Sequence, residues 1–143
     1  MSLLDLAAYQ RDGFAVLEGF LPLSDCDALQ ERAAELVAAL DVDAARRIFS
    51  PRDQGHARDR YFLESGAAVR FFFEEEATDQ PARLALNKIG HALHDLDPVF
   101  DRISRRSRLA DLAHVLGLVR PLLLQSMYLF KQPWIGAEVG WHQ

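Results

Sequence analysis

The chain has 143 residues, of which 50% are hydrophobic and 26% are charged, and its formal charge is −5. A chain of this length forms one domain that buries roughly two-thirds of the surface exposed on unfolding. The negative charge argues against nucleic acid and membrane surfaces as partners, because both attract basic proteins. One cysteine, Cys26, excludes an internal disulfide. No run has the pattern of a signal peptide or a membrane span, so we expect a cytoplasmic location.

Residues 1–40 predict two helices separated by a short strand. Ser2 is placed to cap a first helix that ends at Gly13, since glycine favours the left-handed conformation at helix ends. The β-favouring run Phe14–Leu17 predicts a strand. Ser24, with Asp27 three residues later, predicts the cap of a longer helix. The apolar face of that helix contains Leu29, Ala33, Leu36, Val37 and Leu40.

The segment from Asp41 to Glu64 is rich in charge and interrupted by Pro51 and Gly55, which predicts a surface loop. A loop of this length is either functional or mobile. After it, Val69–Phe73 predicts a strand. Its three consecutive phenylalanines imply burial on both faces of that strand.

Three helices are predicted next. The first two are Leu84–Leu96 and Val99–Ser104, the second with Pro98 at an early helical position. Ser107 predicts the cap of the third, which ends at Gly117. The core face of the third helix contains Leu109, Leu112, Ala113 and Leu116.

An apolar run at Leu122–Phe130 predicts a strand with a buried face. The first two-thirds of the chain is therefore mainly helical and the last third begins a sheet, which predicts an α+β fold. Sheet edges are normally paired or covered. We therefore expect residues 1–143 to form a single partial domain, the front part of something larger.

Five sequence blocks resemble, in the same order, the phytanoyl-CoA dioxygenase family. The blocks are YQRDGFAVLEGFL (Tyr9–Leu21), YFLESGAAVRFFFEE (Tyr61–Glu75), LNKIGHALHDLDPVF (Leu86–Phe100), QSMYLFKQP (Gln125–Pro133) and the terminal WHQ. The resemblance implies a non-haem Fe(II)- and 2-oxoglutarate-dependent dioxygenase. It also implies a double-stranded β-helix, or cupin-like jelly roll, whose first strands are buttressed by the N-terminal helices and which is truncated before the barrel is complete.

Iron in such enzymes is held by two histidines and one carboxylate. The resemblance makes His142 the first histidine of the family's H-x-D element, and the carboxylate would lie two positions later on the same face of a strand. One of three ligands is then expected in this chain. A single imidazole does not hold Fe(II) against water.

Three further residues match co-substrate positions of the family. Lys88 matches a lysine that contacts 2-oxoglutarate, Met127 matches a residue of the co-substrate pocket, and Gln143 matches the residue between the first two ligands. With His142, these are the expected cofactor-binding residues. Without the resemblance, Lys88 would be interpreted as an exposed helix lysine and Met127 as core filling.

His91, His94 and Asp95 stand at helical spacing and could converge on a metal ion. A polar helix face with one hydrogen-bonded histidine is the favoured interpretation, because this spacing lacks a third constraint. The family motif includes these histidines without making them iron ligands.

A basic cluster spans the end of the second predicted helix and the start of the third. Its members are Arg102, Arg105, Arg106 and Arg108. A solvated helix end is favoured over contacts with the phosphates of an acyl-CoA. Asp25 is attributed to the helix dipole, and Cys26 to a small buried side chain rather than a reactive thiol.

The function implied is hydroxylation of an organic substrate, in the range from acyl-CoA thioesters to small metabolites, coupled to conversion of 2-oxoglutarate into succinate. The 143-residue chain alone is expected to be inactive.

Two other hypotheses stay open. One is a complete, non-enzymatic helical module that pairs with a partner through its terminal strand. The other is a split dioxygenase whose C-terminal half is a separate chain, so that co-expression would restore iron binding.

Overall fold

The computed structural model describes residues 4–41, 60–74, 77, 80–136 and 140. In these ranges helices pack against a small antiparallel sheet, an arrangement that fits the expected α+β class. The helices are α1 (Leu6–Asp12), α2 (Leu23–Ala38), α3 (Ala82–Ala85), α4 (Leu93–Leu96), α5 (Pro98–Ser104) and α6 (Ser107–Val115). The strands are β1 (Arg70–Phe73), β2 (Leu86–His91) and β3 (Ser126–Leu129). None of the helices in the described ranges is both long and apolar enough to cross a bilayer.

The sheet has the order β1-β2-β3, with β2 hydrogen-bonded antiparallel on both sides. Residues directly opposite one another in antiparallel strands project from the same face. Ile89 pairs with Phe71 on one side and with Tyr128 on the other, so these three side chains share a face. Ile89 is completely buried there. This face is the core side of the sheet.

Helix α2 covers the core side with the apolar face that its sequence predicted. Ala33 is part of the buried core, and the other four predicted residues are partly buried against it. Leu93 of α4 and Phe100 of α5 complete the contact. The ring of Phe100 meets that of Tyr128 edge to face, with centroids 6.0 Å apart. The predicted face of α2 is therefore confirmed.

Several predicted boundaries are also confirmed. The α1 helix ends at Gly13, which has the left-handed conformation at φ 81°. The predicted strand at Val69–Phe73 is β1, and all three phenylalanines are buried. The α5 helix begins with Pro98 in its first turn. Gly117, at φ 88°, follows the end of α6 as expected.

One predicted strand is absent from the structure, and one predicted helix is divided into shorter elements. Phe14–Leu17 forms no strand, and Phe14 and Val16 are exposed. A β-favouring composition stabilises a strand only where a neighbouring strand accepts its hydrogen bonds. The predicted helix Leu84–Leu96 is instead α3, β2 and α4, because pairing with both neighbours of β2 outweighs the helical spacing of its leucines.

The predicted caps were less accurate than the helices. Ser2 lies outside the described residues, and Asp5 caps α1 by accepting a hydrogen bond from the Ala8 N–H at 3.0 Å. Helix α2 begins at Leu23 and has no side-chain cap, so Ser24 lies inside its first turn. Ser107 is the first residue of α6 rather than its cap.

The predicted loop from Asp41 to Glu64 falls mostly outside the described residues. Of its described part, residues 60–63 are helical and Glu64 begins a 3₁₀ turn that runs to Gly66.

The predicted core face of α6 is less buried than expected. Leu109 is half-buried, and Leu116 is exposed.

Two buried aspartates connect the helices. Asp97, 2% exposed, caps α5 by accepting hydrogen bonds from the Val99 and Phe100 N–H groups, and it also accepts one from Arg32 Nε of α2 at 2.7 Å. Asp25 of α2 is equally buried and forms an ion pair with Arg106. Charged hydrogen bonds therefore fix α2 against both α5 and the start of α6.

Two substitutions of Asp97 are expected to destabilise the protein to different extents. D97N keeps the capping oxygen but loses the charge opposite Arg32, and should lower the free energy of unfolding by about 1–2 kcal/mol. D97A also removes the cap and should cost about 2–4 kcal/mol. D111A, on the exposed face of α6, is the control, expected within about 0.5 kcal/mol of wild type. Urea unfolding followed by circular dichroism measures all three, and equal stability of D97A and D111A would contradict this role.

Candidate functional site

The face of the sheet opposite the core carries the predicted co-substrate residues. Phe72 pairs with Lys88, Lys88 with Leu129, and Gly90 with Met127, so these five positions lie on the same face of the sheet. We call these five residues the open face. Met127 and Leu129 remain 46% and 52% exposed on it. It is the one side of the sheet where described apolar side chains stay accessible to a ligand.

Lys88 lies on the central strand of the open face, not on a helix as the sequence predicted. Its Nζ is 5.3 Å from the centroid of the Phe72 ring, within the range of a cation–π contact. Within the described part of the chain no carboxylate forms an ion pair with this ammonium group. An unpaired cation over an apolar surface is suited to bind an anionic group from outside.

Met127 is a diagonal neighbour of Lys88 on the adjacent strand. Its Cγ is 3.7 Å from the point where a side chain at Gly90 would begin, so Met127 fills the space above the glycine. The structure therefore brings Lys88 and Met127 together. His142 and Gln143 lie outside the described residues.

His91 ends β2 beside the open face, and the residue is only 7% exposed. The rings of Phe62 and Phe72 both contact the His91 ring, each with its centroid 4.9 Å from that of His91, and the centroids of the two phenylalanines are 6.2 Å apart. His91 Nδ1 is 2.7 Å from Ser65 Oγ. Burial, with a smaller contribution from the charge of Lys88, lowers the pKa of His91 below its usual value, so its neutral form is favoured.

His94 lies in α4 and contacts a different serine. Its backbone N–H donates to Ser126 Oγ at 3.1 Å, and its Nδ1 is 2.8 Å from the same oxygen. Its Nε2 is 3.5 Å from a carboxylate oxygen of Asp95. Because His91 is on a strand and His94 on a helix, their spacing does not produce the single polar helix face that the sequence predicted.

The two serines were not found by sequence reasoning. Ser65 is 26 residues from His91 in the chain, and Ser126 is 32 residues from His94. Neither spacing forms a motif, since each pair is brought together only by the fold. Only the burial of two histidines in an apolar region would have signalled that polar partners were needed.

A cavity of about 420 Å³ lies next to these histidines. We call it the histidine cavity, and its walls include Phe62, Ser65, His91, His94, Leu123 and Leu124. A larger groove of about 710 Å³ lies between α6 and residues 118–124. The arginines of that groove already pair with carboxylates, Arg105 with Asp95 and Arg106 with Asp25. The histidine cavity is therefore the better candidate for polar recognition.

The arginines of the basic cluster form more contacts with other residues of the protein than the sequence predicted. Arg105 pairs with Asp95 and Asp101, and Arg102 lies 3.6 Å from Asp25. The guanidinium of Arg108 stacks over Phe20 at 4.8 Å from the ring centroid. Asp25 is thus an ion-pair partner in addition to a first-turn acid. Cys26 is half-buried.

Among the described residues, no three His, Cys, Asp or Glu side chains are grouped so that they could hold a metal ion. His91, His94 and Asp95 therefore do not form a group that could hold a metal ion. Lys88 and Met127 are the described residues of the predicted co-substrate site, and neither is a metal ligand of the usual kind.

Residues 9–143 match the sequence model of the family described as phytanoyl-CoA dioxygenase. The chain is 45% identical to phytanoyl-CoA dioxygenase domain-containing protein 1 of Bos taurus, an alignment that covers 96% of this chain and 51% of that protein. It is 42% identical to phytanoyl-CoA dioxygenase of Arabidopsis thaliana, with 94% and 50% covered. A homologue in Dictyostelium discoideum is 36% identical, with 96% and 51% covered. The chain spans about half the length of these curated relatives.

The buried His91 predicts a pH dependence of stability. The unfolded chain binds the proton more readily, because its histidine keeps the usual pKa near 6.5 while that of the folded state is lowered. The free energy of unfolding should therefore fall as the pH drops below about 6.5 and level off below the folded-state pKa. Urea titrations between pH 7.5 and 5 measure this slope. H91Q should reduce it, while H114Q at the exposed His114 should leave it unchanged. An unaltered slope in H91Q would rule out His91 as its source.

Proposed function

The chain belongs to the phytanoyl-CoA dioxygenase family, as its motifs predicted, and on that premise we propose that it forms the N-terminal part of a non-haem Fe(II)- and 2-oxoglutarate-dependent dioxygenase. The complete protein would hydroxylate an organic substrate while 2-oxoglutarate becomes succinate. The observation that carries this proposal is Lys88, an ammonium group without a carboxylate partner in the described ranges, beside Met127 on the open face.

The open face fits the 2-oxo acid in charge and polarity. The Lys88 ammonium would bind a carboxylate, and the apolar side chains of Met127 and Leu129 would lie along the carbon chain. Such a charge pair is stronger beside an apolar surface than in bulk water. His142 and Gln143 are proposed to complete this pocket, and both lie outside the described residues.

The described residues do not by themselves fit an iron centre, since they contain no group of three metal-ligating side chains. We propose His142 as one ligand, with the other two supplied by the part of the complete protein that corresponds to the second half of its relatives. Iron would supply the oxygen chemistry. The role of the described residues is to bind and orient the 2-oxo acid.

The substrate is proposed to be a small organic molecule, in the range from an acyl-CoA to a small metabolite. The arginine cluster gives no particular support to the acyl-CoA, because three of its members lie against carboxylates within the fold. The substrate class therefore has to come from direct screening of the complete enzyme.

The open edge of the sheet favours completion by further polypeptide. β3 is an outer strand of the described sheet, and the exposed residues Leu122 and Leu124 lie close before it. Such edges are normally paired or covered. The covering strand could belong to the same chain, to a separate C-terminal half, or to a partner of a non-enzymatic module. Co-expression with the C-terminal half of the Bos taurus relative separates the two enzymatic hypotheses from the non-enzymatic module, because only the enzymatic hypotheses predict that iron binding appears.

The 143-residue chain alone should produce no succinate from 2-oxoglutarate above a control containing only iron and ascorbate, because one expected ligand is too few to hold the metal. Succinate is measured by mass spectrometry. Joining the chain to the C-terminal half of the Bos taurus relative should give turnover. Succinate formation by the unjoined chain would disprove the proposed division of the site.

In that joined protein, K88A should weaken 2-oxoglutarate binding by roughly 10- to 100-fold, the usual contribution of a charged hydrogen bond. K131A, at the only other lysine of the chain, is the matched control and should stay within about twofold. The Michaelis constant for 2-oxoglutarate and calorimetric titration with the 2-oxo acid give the comparison. Equal effects of K88A and K131A would remove Lys88 from the co-substrate site.

A further inference from the structure

The hydrogen bonds between β2 and β3 determine which backbone groups of β3 point outward. Residues of antiparallel strands alternate between pairs that exchange hydrogen bonds and pairs whose N–H and C=O groups point away from each other. The Phe130 N–H donates to the carbonyl oxygen of Asn87 at 2.8 Å, so these two residues form a bonded pair. Leu129 and Met127, one and three positions earlier, then belong to pairs of the other type. Their N–H and C=O groups therefore point to the outer side of β3.

The same alternation places the backbone groups of Phe71 on the outer side of β1. Ile89 lies two residues after Asn87, so its N–H and C=O groups face β3. Phe71, its partner on β1, then has its own groups facing away from β2. On that outer side, Tyr61 Oη accepts a hydrogen bond from the Phe71 N–H and donates one to the Phe71 carbonyl oxygen, both at 3.1 Å. One hydroxyl thus occupies both groups that a further strand would need there.

Two contacts restrain the Tyr61 ring in this position. The guanidinium carbon of Arg70 lies 5.0 Å from the ring centroid, and the ring of Phe72 meets it edge to face with centroids 5.6 Å apart. Burial raises the pKa of Tyr61 above its usual value, so the hydroxyl keeps the proton that it donates. Tyr61 is therefore a fixed cover of the β1 edge.

The outer edge of β3 has no such cover. No hydrogen bond joins the backbone groups of Met127 or Leu129 to another residue of the described ranges. Unpaired N–H and C=O groups on an outer strand form a template for a further strand. Both residues belong to the open face, so a strand added beside them would widen the surface on which Lys88 lies.

We propose that Tyr61 directs strand addition to β3 by closing β1, and that the strand added there belongs to the polypeptide corresponding to the second half of the relatives. The identity of this strand rests on the proposed function. The relatives contain enough chain to supply it, because the alignment covers 96% of this chain and only 51% of the Bos taurus protein. Main-chain hydrogen bonds would provide the contact, without iron or the 2-oxo acid.

Amide hydrogen exchange resolved by NMR tests both edges. In the 143-residue chain the Phe71 N–H should be protected, while the Met127 and Leu129 N–H groups exchange as exposed amides. In the chain joined to the C-terminal half of the Bos taurus relative, exchange at Met127 and Leu129 should slow by about tenfold or more, because each gains a partner. Phe71 should not change. Protection of Met127 and Leu129 before joining, or none after it, would overturn the proposal.

The variant Y61F tests the closing role of the hydroxyl in the 143-residue chain. Exchange at Phe71 should become about tenfold faster. One open edge per chain permits at most a pair of chains, whereas two open edges permit longer assemblies. Y61F should therefore form assemblies larger than a dimer in sedimentation velocity. Y9F, which removes a hydroxyl from α1, is the control and should match wild type. A Y61F protein no larger than wild type would refute this role.

The two experiments support each other and are independent of turnover. If Y61F does not fold by circular dichroism, the exchange of Phe71, Met127 and Leu129 in the wild-type chain still decides which edge is closed. If the joined protein does not fold, Y61F still decides. Because neither measurement contains iron or the 2-oxo acid, a failure here leaves the role of Lys88 unaffected. Equally, K88A should leave the exchange pattern of both edges unchanged.

Discussion

The pairing of β2 with strands on both sides is the constraint on which the rest of the described structure depends. It fixes alternate residues of one strand to opposite faces, with Ile89 fully buried against the helices and Lys88 on the other side. A shift of the register by one residue would exchange these faces. The same hydrogen bonds therefore determine both where the core forms and on which face the Lys88 ammonium group lies.

The helical layer is held to this sheet by packing and by buried charge. Ala33 and Phe100 fill the core side, while Asp97 and Asp25 connect α2 to the helices that follow β2. Burial of Asp97 is tolerated because Arg32 and two backbone N–H groups donate to it, and burial of Asp25 because Arg106 pairs with it. The result is a packed layer on one face of the sheet, which restrains the strands that carry the residues of the opposite face.

The sequence was informative where local physical chemistry decides the structure. The apolar face of α2, the phenylalanine strand and the proline at the start of α5 follow from spacing, burial and backbone restriction. The strand β2 was missed because its residues also fit helical spacing, and only two neighbouring strands make the extended form the better one. Lys88 and Met127 were named by family resemblance, but their common face depends on pairing across the chain. His91 was placed on a helix, and its serine partner could not be read from any motif.

Lys88 and His91 share one aromatic neighbour, Phe72. Phe72 contacts both Lys88 and His91, and it is itself buried although it projects from the open face. A cation that stacks on an aromatic face keeps its charge available while its position is restrained. A neutral imidazole beside the same ring presents a lone pair instead. One buried phenylalanine ring thus contacts both a cation and an imidazole, and restrains the positions of both side chains.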